Sequence, residues 1–335
     1  MDEIRNEVKN KKIWVSIDET TDSEGRCVAN VIIGTLPVDE PGKHFLLASE
    51  VLEKANHTTI SKLFDKALFS LWPKGIQHDD VILFVSNAAP YMVKAAKFIQ
   101  AFYSKMIHVT FLAHGLHRVC EKIRAEFPKV DELISNMKKV FLKAPAHIEL
   151  FRREAADMPL PPSPIITRWV VNMLDADDAL AIEKVKQIIC DKNVQSNLIF
   201  IHTNYGFLIS AINSLETRGT PLVEEIQIVD NVIKKLKEIK VPKGVIIYSK
   251  LEQVIEKNEG FKILTISKVM SGEETTTDGL PEDLQISDFI HFKYAPISSV
   301  DVERSFSLYK NMLADNRHSF VSENLSKSLV VNCNS

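Results

Sequence analysis

Cysteine is scarce: Cys27, Cys120, Cys190 and Cys333 are the only four, and no two form a Cys-x-x-Cys pair. That scatter argues against a disulfide framework and against a zinc finger. No apolar run approaches the ~18 residues of a membrane span, and the first residues lack a secretory pattern. The expectation is a chain of the cytosol or nucleus with no membrane partner. A basic surplus is missing too: 41 Lys and Arg stand against 44 Asp and Glu, a net charge of −3. Proteins that grip many phosphates usually carry excess cations, so any affinity for nucleic acid must come from a local patch. Repeats and low-complexity tracts are absent as well. What is present is ordinary globular material, 335 residues with 45% hydrophobic and 25% charged side chains. That is enough chain for one large domain or two, stable without staples.

In chain order, Lys11 to Ile17 alternates with Ile13, Val15 and Ile17 on one face, a strand that ends at Asp18. Cys27 to Leu36 and Lys43 to Ser49 are further strands, and short turns make the three an antiparallel meander. Thr58 to Trp72 is helical, with Ile60, Leu63, Phe64, Ala67 and Leu68 in register. Val81 to Val85 is a buried strand, and Pro90 opens a helix to Phe102 with Asn87 as candidate cap. Met106 to Phe111 is the fifth strand. Helices follow at Ala113–Phe127, Val130–Leu142, Asp177–Ile189, Gln195–Leu215 and Glu224–Ile239. The proline-rich stretch from Met158 to Pro164 reads as a rigid connector, Pro242-Lys243-Gly244 as a break, and Glu273 to Gly279 as a polar, mobile segment.

Near the end, Pro296 stops what precedes it, and Ser298 or Ser299 can cap a new helix. Val302, Phe306, Tyr309 and Leu313 then recur at helical spacing as a core-facing stripe. Glu303 and Arg304 sit in the first turn on the shoulder of that stripe. A carboxylate there either caps or pairs locally, or is aimed into a site.

The block Pro296-Ile297-Ser298-Ser299-Val300-Asp301-Val302-Glu303-Arg304-Ser305-Phe306-Ser307 resembles the C-terminal region of hAT-superfamily DDE transposases. The likeness continues through Asn316-Arg317, Ser322-Glu323-Asn324-Leu325 and Val330-Val331. Strand order and resemblance together imply an α/β (α+β) chain with an RNase H-like five-stranded mixed sheet. An all-α insertion would interrupt it and C-terminal helices close it. The expected parts are a first core segment over 1–112, a helical insertion over 113–288 and a dimerisation region over 289–335 that completes the core.

The chemistry implied by the resemblance needs three carboxylates around two Mg²⁺ or Mn²⁺ ions, one activating the attacking oxygen and one stabilising the leaving oxygen. Asp18, in Ile17-Asp18-Glu19-Thr20, fits the first acid and Glu303 the third. The second should follow the fourth strand, beside Asp18, where the chain reads Ser86-Asn87-Ala88-Ala89-Pro90-Tyr91-Met92. Asn87 stands at the acid's position. Two unit charges ~4 Å apart interact by ~4 kcal/mol at an effective dielectric near 20, so the loss of one carboxylate costs metal occupancy heavily. Asp79 and Asp80 lie about 16 Å away at the wrong end of the strand. Alternation turns Glu19 to the opposite face, and Asp22, in the turn, stays open as a substitute.

The family's Cys-x-x-His pair reads Phe111-Leu112-Ala113-His114, with the histidine kept. His114 is then a polar residue near a groove, expected by the resemblance to meet DNA, or, with His117, part of a metal site. The family's Arg-Trp pair matches Arg168-Trp169, and there the resemblance implies stacking on a DNA base. Otherwise that tryptophan belongs to a core. The family's N-terminal BED zinc finger has no counterpart in the Cys and His of this sequence.

These features give one leading expectation: a degenerate or domesticated hAT transposase-like protein, nuclear by resemblance, that has lost strand transfer. It would bind no cofactor, with Mg²⁺ or Mn²⁺ needed only if active. It would form a homodimer through Leu308, Leu313, Phe320, Leu325, Leu329 and Val330, residues that otherwise fill their own core. DNA contact stays open. A working metal-dependent enzyme with a substituted second acid, and a protein-interaction scaffold without DNA contact, are the alternatives.

Overall fold

A computed structural model of the chain describes residues 1–22, 24–141, 149, 184–185, 187–258, 263–272, 277–313 and 322–334. The helices are α1 (Asp2–Val8), α2 (His57–Leu71), α3 (Pro90–Gln100), α4 (Leu112–Glu126), α5 (Pro128–Phe141), α6 (Lys192–Tyr205), α7 (Phe207–Leu215), α8 (Leu222–Glu238), α9 (Pro242–Glu256), α10 (Ile263–Ser271), α11 (Ile286–Phe289), α12 (Val300–Leu313) and α13 (Ser322–Asn334). The strands are β1 (Ile13–Thr21), β2 (Cys27–Thr35), β3 (His44–Leu52), β4 (Val81–Ser86) and β5 (Ile107–Thr110).

The five strands form one mixed sheet in the order β3-β2-β1-β4-β5. β1 pairs antiparallel with β2 and β2 with β3, while β4 and β5 run parallel to β1. This is the RNase H-like arrangement: a meander, then strands reached by helical crossovers. β4 is buried along its whole length, as a central parallel strand covered on both faces must be. On one face Ile13, Val15 and Ile17 of β1 meet α2 and α3, in a core that holds Phe64, Phe84 and Tyr103. The Phe64 ring stands edge-on to Phe84 at 5.3 Å and to Tyr103 at 5.4 Å. Such aromatic pairs add about 0.5–1.5 kcal/mol each beyond their burial. Alternation sends Trp14, Ser16 and Asp18 to the other face. There Trp14 lies across Gly34, its cross-strand partner, where an added Cβ would fall 2.3 Å from the indole.

α12 and α13 cover β1–β3 on that second face. Val302, Phe306 and Tyr309 are buried, as their spacing requires. The backbone of each edge strand is met by a distant asparagine that imitates a neighbouring strand. On β3, the Asn334 amide accepts from the Leu46 N–H and donates to its carbonyl, both at 2.9 Å. On β5, Asn258 does the same to Thr110, both at 3.0 Å. Each side chain satisfies edge groups that could otherwise recruit another chain.

The chain divides into two compact units, Met1–Gly115 with Ala211–Val232 and Leu251–Ser335, and Leu116–Ser210 with Ile233–Lys250. The first gathers the sheet with 211–232 and 251–288. The second is helical in its described residues, with Val119, Ile123, Phe127, Val130 and Leu133 buried. Within it, Lys243 Nζ sits 4.0 Å over the Phe127 ring and donates to the Glu126 carbonyl at 2.6 Å. Among the described residues no single helix is long and apolar enough to cross a membrane.

The structure corrects several local readings. The helical run does break before Pro242-Lys243-Gly244, between Glu238 and Pro242, and the proline opens the next helix, because at the first helical position it surrenders only an N–H that would lack a partner anyway. Gly244 permits the tight approach to the preceding helix, since a Cβ there would fall 2.4 Å from the Ile239 carbonyl oxygen. The long helix expected over Gln195–Leu215 is interrupted at Gly206. Asn87 does not cap α3: the cap position is Ala89, with no side-chain bond. The connector at 158–164 and most of the helix expected over 177–189 lie outside the described residues.

Candidate functional site

β1 and β4 run parallel, and their pairing ends at Ile17↔Ser86. The next residues, Asp18 and Asn87, therefore stand side by side just past the end of that pairing, at the carboxyl end of β4, where open α/β sheets place their sites. β1 does not end at Asp18 as expected but runs on beside β2 to Thr21. Asp18 is fully buried. Asn87 Nδ2 donates to Asp18 Oδ1 at 2.9 Å, so two of the three expected positions meet directly.

The same Asn87 nitrogen donates to Glu19 Oε1 at 3.1 Å. Alternation does put Glu19 on the α3 side, where the Tyr91 hydroxyl donates to that same oxygen. Asn87, however, lies just beyond the end of β4 and reaches both faces around the sheet end. Glu19 thus keeps the opposite face that alternation gives it and is linked to Asp18 through Asn87. Asn87 Oδ1 is committed elsewhere, accepting from the Ala89 N–H at 2.9 Å in an Asx turn. The reverse amide orientation would set oxygen against two carboxylates and NH₂ against an N–H, so the network fixes which end faces the acids. The Tyr91 hydroxyl is pushed well above its ordinary range by burial first, then by its bond to Glu19 and by the charges of Glu19 and Asp18.

Glu303 is carried by α12, on the Asp18 face. Asn30 is Asp18's cross-strand partner, and its Nδ2 donates to Ser305 Oγ of α12 at 2.8 Å. The Glu303 carboxylate itself accepts from Ser299 Oγ at 2.9 Å and lies 3.6 Å from His114 Nε2, just past β5. Glu216 lies close enough to feel it: burial, then the charge of Glu303, holds the Glu216 carboxyl above its usual range. Glu303 thus belongs to the same end of the sheet but is held by Ser299 and His114.

Asp22, the substitute left open by the sequence, is locked into its turn. It accepts from the Glu24 and Arg26 N–H groups, each at 2.9 Å, from the Arg26 guanidinium at 2.7 Å and from the Tyr309 hydroxyl at 3.2 Å. Burial raises its pKa, but the bonds from Arg26 and Glu24 outweigh that and leave it lowered. Asp80 pairs with Lys12 at 3.1 Å, at the opposite end of β1. Arg168, Trp169 and Phe320 lie outside the described residues, as does any side-chain placement for Leu313. Of the other interface candidates, Leu325 and Leu329 are buried in their own chain and Leu308 is 38% exposed.

Among the described residues no group of three or more His, Cys, Asp or Glu is arranged to hold a metal ion. The donor set explains why: Asn87 presents hydrogens, not oxygen, to the carboxylates, and its oxygen is occupied by backbone. The residues present do not fit the two-ion centre that DDE chemistry requires. The link from Glu19 to Asn87 and the Asx turn of Asn87 were the details that sequence missed, and Tyr91, four residues after Asn87 in the first turn of α3, was their available signal. Residues 1–140 match a family model described as a domain of unknown function, DUF659. The matched segment contains Asp18, Asn87 and His114 but not Glu303. No curated protein matches the chain.

Proposed function

We propose that this chain is a degenerate, hAT transposase-like protein that has kept the RNase H-like scaffold and lost DNA strand transfer. One observation carries the reading: the amide of Asn87 donates to Asp18 and Glu19 where the second carboxylate would have to bind a cation. The DUF659 match, to a family typical of transposase-related proteins, supports the descent. So does the arrival of Glu303 at the Asp18 end of the sheet on α12. The retained roles in this reading are nuclear: dimerisation through the C-terminal region and contact with DNA.

The distribution of charge favours DNA contact over a pure protein scaffold. The helical unit, Leu116–Ser210 with Ile233–Lys250, holds 19 Lys and Arg against 13 Asp and Glu, a net of +6. The sheet unit holds 22 against 31, a net of −9. A local basic surplus is what an overall acidic chain needs to meet phosphates.

A metal-dependent nicking assay on supercoiled and hairpin DNA tests the reading, with Asp18→Ala as control. No cleavage above that control is expected. Cleavage by the wild type that Asp18→Ala abolishes would overturn it. A second reading, an active enzyme with a substituted acid, draws on the position of Glu19, and cleavage lost in both Asp18→Ala and Glu19→Gln would select it.

A further inference from the structure

We propose that the Asn87 amide is the resident hydrogen-bond donor to the Asp18–Glu19 pair, a neutral substitute for a divalent ion that makes this sheet end independent of metal. The inference rests on the reading above only in taking position 87 as a former acid. It goes further, assigning the present residues a positive structural task rather than a loss.

The geometry is specific. One primary amide nitrogen has two hydrogens, and both are spent on carboxylate oxygens, at 2.9 Å to Asp18 and 3.1 Å to Glu19. The Tyr91 hydroxyl supplies a further donor to the Glu19 oxygen, from the first turn of α3. The amide oxygen anchors the group by accepting from Ala89, so the nitrogen cannot swing away without breaking the turn that launches α3. A buried carboxylate without an opposite charge or donors is costly, and a cation or a set of N–H and O–H groups can answer the need equally. Here the N–H and O–H groups do it. An ion placed between Asp18 and Glu19 would collide with the amide hydrogens, and position 87 offers it no anionic oxygen.

Two consequences follow. The wild-type chain should have the same melting temperature in EDTA as in Mg²⁺ or Mn²⁺. Asn87→Asp turns the sheet end into a cation site: three carboxylates then crowd one point, lowering stability in EDTA, and Mn²⁺ restores it saturably.

The experiment is Mn²⁺ titration of the full chain, followed by electron paramagnetic resonance of free Mn²⁺ and by thermal melting, on wild type, Asp18→Asn and Asn87→Asp. The expected result is no saturable Mn²⁺ binding by wild type and a gain of about tenfold or more in affinity in Asn87→Asp. Saturable binding by wild type that Asp18→Asn removes would overturn the proposal, and it can be read even if Asn87→Asp does not fold. A folded Asn87→Asp that binds Mn²⁺ no better than wild type would overturn it as well. Nicking activity would sink the proposed function, whereas Mn²⁺ binding without nicking sinks only this inference.

Discussion

The sheet unit and the helical unit carry opposite charge, −9 against +6, and the whole-chain value of −3 conceals both. The sheet unit keeps its carboxylates in fixed geometry: Asp18 and Glu19 on Asn87, Asp22 on Arg26, Glu303 on Ser299. The helical unit has exposed lysines on one stretch of α8, Lys234, Lys235 and Lys237, and Lys235 Nζ lies 4.9 Å over the Phe207 ring. The lesson is that geometry and charge have been parcelled out separately. A reading of ligands from net charge alone would miss the basic unit, and a reading from the acid trio alone would miss that its middle member now donates.

The comparison can be broken or sharpened by substitution. The largest expected effect is in the sheet core: Phe64→Ala removes a fully buried ring and should cost about 3–5 kcal/mol in chemical denaturation. Asn87→Ala should cost about 1–3 kcal/mol, because two carboxylates lose their shared donor, and a melt within error of wild type would show that the network carries no weight.

Glu225 offers a gain instead. It is 3% exposed, its Oε2 has no hydrogen-bond partner, and burial holds its pKa well above 4.5. A raised folded pKa in an acid means stability is lost as pH rises from the unfolded value towards the folded one. Glu225→Gln should therefore raise the melting temperature at pH 7, with the advantage shrinking as pH falls towards 4.5 and levelling off below it. Asn334→Ala should cost about 1 kcal/mol by freeing the β3 edge at Leu46, and it should increase association on size-exclusion chromatography. In the helical unit, Lys234→Ala with Lys237→Ala should leave melting unchanged. It should reduce the salt dependence of DNA binding by about one unit of slope per lysine that meets a phosphate. An unaltered slope would remove α8 from the proposed contact.

Much of this fold was legible because its signals are local. β-Branched runs marked β2 and β4, Pro90 marked the start of α3, and helical spacing of Val302, Phe306 and Tyr309 marked α12. The adjacency of Asp18 and Asn87 followed from strand order alone. What escaped depends on contacts distant in sequence. α1 is short and is tied down by Arg5, which donates to the carbonyls of Ser70 and Leu71 at the end of α2. The edge-covering roles of Asn258 and Asn334 span 148 and 288 residues, and no periodicity reports them. Glu19 was set aside because strand alternation describes the middle of a sheet, and at its end a neighbour in a turn can reach both faces.

The central claim is that position 87 now gives hydrogens where a metal centre needs an anion. Its most direct test is a crystal structure after soaking in Mn²⁺, with anomalous scattering recorded. The account predicts no manganese peak among Asp18, Asn87 and Glu303, and an Asn87 nitrogen within hydrogen-bonding distance of both Asp18 and Glu19. A manganese peak coordinated by Asp18 and Glu303 would contradict it.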